Sequence, residues 1–388
     1  MVRATQATAH PWPTLGISEA THMSTASFSE WLEHTVPAEP STERARSAIE
    51  HDLADWEMSR VVPDGDGTTV ICIGRARRAV TQWRRGKGKA KKHTKNKGKE
   101  VPERTLAGII DKDMLPTAVG SRAERYYLPG LKRYMGVSEL CTAFGIGKES
   151  TLRKALRLER KRQKGRPPRT VTTAASMLGA AVQVDVLSTI VEGALERAAW
   201  GTMPGDAECI RMMDACSGIG SMAEVMEKIT RGKWQYTGAA EEGDTQREIL
   251  VEAWGGRGIT EDKILRNAFD EDKLHAAGPA DVYGMSPECG DYSKQSVTTP
   301  EEAMERTDEV RKLMAYATEH RPAVVILENA ADLQNNSGMR KCGEAIEAHL
   351  RNALPDYEWR AQVVDSYTHM GLPMKRERGF WVGTRPVQ

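Results

Sequence analysis

One cysteine of this sequence stands where it could act as a nucleophile. Cys289 lies in a loop rich in Gly, Ser and Pro that directly follows a short apolar run, residues 280–283. Loops at the carboxyl ends of strands carry the ligand sites of open α/β sheets. A cysteine there can serve as a nucleophile. A metal ligand and a small buried residue are the alternatives for a single cysteine.

Polar groups that could assist Cys289 follow later in the chain. Glu328 and Asn329 end a second apolar run, and Arg376 and Arg378 stand just before the last strand candidate. Because the two arginines are two residues apart, we expect both to point to one side. Arginines in such a place suit a phosphate or a base carbonyl, and a solvated charged turn is the alternative.

A glycine-containing turn precedes these groups. Its sequence, DACSGIGS at residues 214–221, separates a strand candidate from a helix candidate. Glycine lets the backbone approach a ligand closely, and a helix N-terminus favours an anionic group. The next strand candidate ends in an acid, Glu241, which could accept the hydroxyl groups of a ribose. Together they indicate an adenosine-containing ligand without a pyrophosphate, and the alternative is an ordinary turn with a surface acid.

From residue 209 onward, short apolar runs alternate with amphipathic stretches. Strand candidates are residues 210–213, 236–240, 282–284, 323–327, 360–364 and 379–382, and helix candidates are 221–229, 244–254, 300–319 and 343–353. This alternation predicts an α/β fold with a doubly wound, mostly parallel sheet. In the smaller N-terminal region we expect helices at 42–56, 148–161 and 179–195 and a strand at 68–73.

The charge is unevenly distributed along the 388 residues. The net charge is +1, yet the run from Arg75 to Lys99 holds twelve basic residues and no acid. A block this dense favours a polyanion, and we expect it to contact the phosphates of double-stranded DNA in a salt-dependent way. A solvated loop is the alternative.

The cysteine spacing and the hydropathy of the chain indicate in which kind of compartment the protein is expected. Six cysteines show no CxxC pairing, so neither a disulfide framework nor a metal site is expected. Reduced thiols fit an intracellular compartment: a bacterial or host cytoplasm, or a nucleus in a eukaryote. Without an apolar stretch approaching 18 residues, we expect no membrane partner, and we expect a monomer.

Taken in order, these motifs resemble those of the DNA cytosine-5 methyltransferases. DxxSGIGS, AAEE, SPEC with GDYS, LENA and GLPxxRxR cover about residues 205–388 and include the family's motifs I, IV, VI and VIII. Residues 133–145 are similar to motif IX and residues 178–182 to motif X, which usually follow motif VIII. Their position upstream of motif I indicates a circular permutation.

The resemblance implies three regions. Residues 205–388 would form a catalytic domain with the Rossmann-like fold of class I S-adenosylmethionine-dependent methyltransferases. Residues 129–204, with the segments similar to motifs IX and X, would pack on that domain. Residues 1–128, with the basic run, would take the place of the target-recognition region.

The resemblance also assigns roles residue by residue. Cys289 would attack carbon 6 of a flipped-out cytosine, Glu328 would hold nitrogen 3, and Asn329 would position the loop. Arg376 and Arg378 match the two arginines of motif VIII, one of them near the base carbonyl, and would be catalytic residues together with Cys289 and Glu328. The cofactor S-adenosylmethionine would be bound by Asp214, Ser217, Gly218, Gly220, Glu241 and Asn267.

One departure from the family pattern touches the nucleophile itself. Glu288 stands where proline usually precedes the cysteine, and a carboxylate there lowers the thiolate fraction unless it points away. The bond-making residues are present, so an active DNA enzyme is favoured. An RNA cytosine-5 methyltransferase and a catalytically silent DNA-binding homologue are the alternatives.

Overall fold

The computed structural model describes residues 69–72, 110–112, 126–128, 133–162, 174–198, 209–292, 299–335, 338–372 and 374–386. These residues divide into two compact units. Unit 1 comprises the described residues of Gln183–Asp365 and Glu377–Gln388, and unit 2 the described residues before Gln183 together with Ser366–Arg376. The helix candidate 42–56 and the basic run 75–99 lie outside the described residues.

Strands and helices alternate through most of unit 1, and the elements of both units are numbered together in chain order. The strands, in chain order, are β1 (Thr69–Cys72), β2 (Ile110–Lys112), β3 (Tyr126–Leu128), β4 (Arg133–Tyr134), β5 (Ile210–Ala215), β6 (Trp234–Ala240), β7 (Ile264–Leu265), β8 (Val282–Met285), β9 (Val324–Ala330), β10 (Glu358–Asp365) and β11 (Glu377–Thr384). The helices are α1 (Val137–Ala143), α2 (Thr151–Arg162), α3 (Ala174–Ala180), α4 (Val184–Arg197), α5 (Ser221–Thr230), α6 (Asp244–Trp254), α7 (Glu271–His275), α8 (Pro300–Glu305), α9 (Thr307–His320), α10 (Asp332–Asn335), α11 (Arg340–Ala353) and α12 (Ser366–Met370).

The strands of unit 1 form one seven-stranded sheet in the order β10-β11-β9-β8-β5-β6-β7. Strands β5 to β9 pair in parallel, whereas β11 runs antiparallel between β9 and β10. The predicted doubly wound, mostly parallel sheet is therefore confirmed, with the Rossmann-like strand order of class I methyltransferases. Unit 2 contains a four-stranded antiparallel sheet in the order β2-β1-β3-β4 and helices α1, α2, α3 and α12.

The central strands are covered on both faces, which explains their near-continuous apolar sequences. Every residue of β8 and β9 is buried. On one face, Tyr283 and Leu327 join the side chains of α9 and α11 in a single apolar cluster. On the other face, Gly284 leaves room for α5, because a Cβ at this position would lie 2.9 Å from Met222 Cε.

Three sequence predictions differ in detail from the structure. The two-residue strand β7 was not predicted, because a pair of apolar residues carries no alternation. The helix candidate 300–319 is two helices that part at Arg306, where the Thr307 hydroxyl donates to the Met304 carbonyl at 2.8 Å. Such side-chain bonds compete with the helical ladder.

The helix candidate 179–195 is also divided, because α3 ends at Ala180 and α4 begins at Val184. Within the part of the chain that is described, Ser176–Arg197 is the one stretch long and apolar enough to cross a membrane by length and composition. Most of its apolar window is buried, and a core helix passes the same test. The stretch is therefore weak support for a membrane span.

Candidate active site

The ends of four neighbouring parallel strands bring most of the site candidates to one edge of the sheet. Ala215 of β5 pairs with Ala240 of β6 and with Met285 of β8, and Met285 pairs with Leu327 of β9. Glu241 and Glu328 each come one residue later. The loops 216–220 and 286–292 leave the sheet at the same level, which is the edge where open α/β sheets bind ligands.

The glycine turn after β5 is held in place by hydrogen bonds that Ser217 donates. Ser217 N donates to Ala240 O at 2.9 Å, and the Ser217 hydroxyl donates to Asp214 O at 2.6 Å. Gly220 begins α5 with a φ of 85°, and a Cβ there would lie 2.8 Å from Trp254 Nε1. Only glycine satisfies both the positive φ and the close indole ring.

Glu241 ties the glycine turn to the end of β6. Its carboxylate accepts from Gly218 N at 2.8 Å through Oε2 and from Gly243 N at 2.9 Å through Oε1. Burial raises the pKa of Glu241, and the two N–H groups oppose that shift. The acid predicted to meet a ribose is thus fixed beside the turn, with backbone donors on both oxygens.

Arg247, which was not among the site residues predicted from the sequence, contacts the backbone of this acid. Its buried guanidinium donates from Nη1 to Glu241 O at 3.1 Å and to the carbonyl of Glu242, and it pairs with Asp244. These contacts occupy the carbonyl groups at the end of β6. The only signal in the sequence was a basic residue in the first turn of the helix after an acidic pair.

Asp214 is a second buried acid at the end of β5. Burial, followed by the negative charge of Glu241, raises the pKa of Asp214 to about 8. Gly284 lies opposite in β8, where a Cβ would come within 3.1 Å of Asp214 Oδ1. A buried acid suits a cationic ligand group, because such a group would favour the ionised carboxylate.

The Cys289 loop is anchored on both neighbouring strands. Ser286 N donates to Ala215 O at 3.2 Å, and the buried Asn329 donates from Nδ2 to Pro287 O at 3.4 Å. Cys289 is half-buried and packs against the apolar cluster of unit 1. Asn329 therefore touches the loop that carries the thiol.

Glu288 is exposed in the same loop. Its Oε1 accepts from Gly290 N at 2.9 Å, so the side chain folds forward along the backbone. A Cβ at Gly290 would lie 3.1 Å from that oxygen. The small residue at 290 thus leaves space for the carboxylate at 288.

Glu328 and Arg378 form an ion pair across two antiparallel strands. Arg378 Nε lies 2.9 Å from Glu328 Oε1, and the Glu328 side chain is only 8% exposed. Both residues lie inside strands rather than beside them, since Glu328 pairs with Phe380 and Arg378 with Ala330. The sheet register therefore sets the distance between the two charges.

Arg376 does not share the surroundings of Arg378, contrary to the expectation that both point to one side. Arg376 is buried in unit 2, where it donates to Gly179 O at 3.0 Å and to Ala181 O at 2.8 Å. Its guanidinium lies 5.6 Å from the centre of the Phe144 ring. The difference arises because β11 begins only at Glu377, so strand alternation does not link the two arginines. The catalytic assignment of Arg376 stays a prediction.

Asn267 follows β7 and is exposed. Its Oδ1 accepts from Phe269 N at 2.9 Å, and nearby Glu241 N donates to Leu265 O at 2.8 Å. The strand end that precedes Asn267 is thus joined to the ribose-acid candidate. No cluster of three or more His, Cys, Asp or Glu side chains suited to a metal occurs among the described residues.

Residues 210–388 match the model of the family described as C-5 cytosine-specific DNA methylase. The matched segment begins at β5 and contains Cys289, Glu328 and Arg378. No curated protein matches the chain.

Two solved structures similar to the chain are both methyltransferases. The Dnmt2 methyltransferase of S. pombe is 14% identical, with 47% of this chain and 51% of that chain covered and a TM-score of 0.34. A putative DNA modification methyltransferase encoded within a prophage (E. coli) is 17% identical, with 45% and 47% covered and a TM-score of 0.31. The chain spans about half the length of these two structures.

Proposed function

We propose, with the C-5 cytosine-specific DNA methylase domain of residues 210–388 as the premise, that the protein is a DNA cytosine-5 methyltransferase. It would move a methyl group from S-adenosylmethionine to carbon 5 of a cytosine flipped out of duplex DNA. The observation that carries the proposal is the adjacency of the Cys289 loop after β8 to the Glu328–Arg378 ion pair of β9 and β11. A nucleophile and a charged pair at one sheet edge can act on the same base.

The cofactor site fits S-adenosylmethionine by the chemistry of its side chains. Glu241 stands where ribose hydroxyl groups could bind, and at Gly218 nothing lies within 4 Å of the place that a Cβ would take. Asp214 is a buried acid beside this turn and suits a cationic group. When bound, the cofactor supplies an electrophilic methyl group.

The reaction would proceed through a covalent bond to Cys289. Its thiolate adds to carbon 6 of cytosine, and the electrons of the 5,6 double bond move to carbon 5, which accepts the methyl group. Glu328 would meet nitrogen 3 and favour the protonated ring during the attack. Loss of the proton on carbon 5 then expels the thiolate and restores the double bond.

Arg378 would keep Glu328 in place for this role. The ion pair lies in a largely dry part of the sheet, where a fixed charge has more effect than in water. Asn329 would hold the loop through the Pro287 carbonyl. The arginine and the asparagine are thus positioning residues for the two groups that touch the base.

The partner proposals concern the rest of the chain. The basic run from Arg75 to Lys99 would contact DNA phosphates, and the order of the segments similar to motifs IX and X would reflect a circular permutation. The enzyme would be a monomer, and it would act in an intracellular, reducing compartment.

A labelled-methyl assay tests the proposed function. Wild type, Cys289→Ala and Cys209→Ala are each incubated with duplex DNA or with RNA and methyl-labelled S-adenosylmethionine, and modified bases are mapped. Cys209 is an exposed free cysteine and makes a matched control. We expect 5-methylcytosine in DNA from wild type and Cys209→Ala and none from Cys289→Ala. Label in RNA alone would favour the RNA alternative, and no label on either substrate would favour a silent homologue.

A trapping experiment tests the covalent step separately. Duplex DNA with 5-fluorocytosine lacks the proton that must leave carbon 5, so the adduct with Cys289 should persist. We expect a denaturation-resistant protein–DNA complex with wild type and Cys209→Ala. The same complex with Cys289→Ala would exclude Cys289 as the nucleophile.

A further inference from the structure

Helices α1 and α2 of unit 2 form a pair with a defined turn. Helix α1 ends with Gly145 at a φ of 76°, Ile146 N donates to Cys141 O at 2.9 Å, and Gly145 N donates to Thr142 O at 3.0 Å. These two bonds make a Schellman motif, which stops the helix and turns the chain sharply. The apolar side chain of Ile146 is then buried.

Helix α2 is fixed against α1 by two arginines. Buried Arg153 donates from Nη1 to Thr142 Oγ1 at 3.1 Å and to Ile146 O at 3.4 Å. Arg157 donates from Nε and Nη2 to Ser138 Oγ at 3.0 and 2.8 Å. The orientation of α2 therefore depends on polar contacts as well as on the apolar core.

The opposite face of α2 is open to solvent. Thr151, Lys154 and Leu158, spaced three and four residues apart, lie exposed on one face, with Arg157 beside them. Leu158 is 40% exposed, the one large apolar side chain of the described residues to be so. The α2 sequence carries six basic residues and a single acid, Glu159, whose side chain is buried.

We propose that the exposed face of α2, whose residues belong neither to the basic run nor to the Cys289 site, is a contact surface for double-stranded DNA. DNA-binding helix pairs place their second helix in the major groove and join the helices by a turn that often contains glycine. The connection here, residues 144–150, is longer than their usual turn, and it shares with them glycine in the turn, at Gly145 and Gly147. The surface rests on the proposed function only in taking the duplex to be the substrate.

Charge and shape favour B-form DNA over other occupants. Phosphates match Lys154 and Arg157, and Leu158 could meet the methyl group of thymine. The deep, narrow major groove of RNA does not admit such a helix. A membrane surface would need a broad apolar face, and the described part of this face offers only Leu158.

Salt-dependent DNA binding tests this surface. Lys154 is suited to the test, because its side chain is 57% exposed and its ion pair with Glu149, at 3.7 Å, is also exposed. The affinity of wild type for a random 20-base-pair duplex is measured by fluorescence anisotropy between about 50 and 200 mM salt. The variants are Lys154→Gln, the charge-reversing Glu149→Lys, and Lys341→Gln, an exposed lysine on α11 of unit 1, as matched control.

We expect Lys154→Gln to weaken binding and to reduce the slope of log K against log salt by about 0.9, the loss of one phosphate contact. Glu149→Lys should steepen the slope, and Lys341→Gln should leave it unchanged. Unchanged slopes for both α2-region variants would overturn the proposal. So would equal losses for Lys154→Gln and Lys341→Gln, which would indicate only a general charge effect.

Methyl transfer is measured on the same preparations, so that the two proposals fail separately. A reduced slope for Lys154→Gln with no methyl transfer from wild type would leave the DNA surface standing and overturn the proposed function. Methyl transfer by wild type with unchanged slopes for both Lys154→Gln and Glu149→Lys would support the proposed function and overturn the DNA surface.

Discussion

Arg378 reaches from β11 to Glu328 on the neighbouring antiparallel strand, and the two side chains meet at 2.9 Å between Nε and Oε1. Glu328 pairs with Phe380, two residues beyond Arg378, so the ion pair runs diagonally across the ladder. The pair joins β9, the strand next to the one that leads into the Cys289 loop, to β11, its antiparallel neighbour in the described sheet. Any change at either residue therefore bears on both stability and chemistry.

The first prediction separates these two effects. Glu328→Gln or Arg378→Gln alone leaves a buried charge without its partner and should lower the free energy of unfolding by about 3–5 kcal/mol. The double variant removes both charges and should recover most of that loss. Glu328→Gln and the double variant should lose methyl transfer, because Glu328 would act directly on the base, whereas Arg378→Gln should reduce it, because Arg378 would keep Glu328 in place. Urea unfolding and the methyl assay on each protein check this, and activity in the double variant would contradict the role of Glu328.

The second prediction concerns the glycine turn. Gly220→Ala would place a Cβ 2.8 Å from Trp254 Nε1 at a φ of 85°. Overpacking of this kind costs about 1–3 kcal/mol, so the unfolding midpoint should fall and cofactor binding should weaken. Gly255→Ala is the control, because nothing lies within 4 Å of its Cβ and its φ is −53°. Equal effects of the two substitutions would contradict the steric argument.

The third prediction concerns Arg247, which holds the carbonyl groups of Glu241 and Glu242. Arg247→Lys keeps the charge but lacks the rigid, forked donors of the guanidinium, so affinity for S-adenosylmethionine should fall about tenfold, or ~1.4 kcal/mol. Arg247→Ala should lose more. Isothermal titration calorimetry measures both, with thermal unfolding to confirm folding.

Arg266→Ala is the matched control for that experiment. Arg266 is 70% exposed and pairs with Asp244, the same acid that Arg247 contacts. Loss of this exposed pair should change affinity little. A decrease as large as that of Arg247→Ala would mean that the ion pairs, rather than the carbonyl contacts, position Glu241.

The fourth prediction is a pH dependence of stability. In the folded protein the pKa of Asp214 is raised from 3.8 to about 8 by burial and by the charge of Glu241. The folded state then keeps a proton that the unfolded chain has lost, so the free energy of unfolding should fall as pH rises from about 4 to about 8. Asp214→Asn should flatten this decline, as urea unfolding at several pH values would show.

Asp308→Asn is the comparison variant for the pH series. The Arg311 guanidinium lowers the pKa of the exposed Asp308 below its ordinary value, so this group stabilises the folded protein more as pH rises, the opposite sign to Asp214. Its removal should leave the decline between pH 4 and 8 intact. A decline that persists in Asp214→Asn would assign the pH dependence to other groups, Glu241 first among them.

The local features of the site could be predicted from the sequence because each depends on neighbours along the chain. The turn at Gly218 and Gly220, the acid Glu241 and the loop of Cys289 each follow an apolar run that forms a strand. Since parallel strands end at the same edge, their loops had to meet there. The family model matched over residues 210–388 agrees with the resemblance carried by these motifs.

The tertiary structure alone decided the partners of the arginines. Arg376 and Arg378 look equivalent in sequence, yet one binds the Gly179 carbonyl, 197 residues away, and the other binds Glu328. The role of Arg247 likewise depends on which carbonyl groups come within reach of its guanidinium. The folded backbone determines which acceptors a long side chain can reach, and the spacing of residues along the chain does not contain that information.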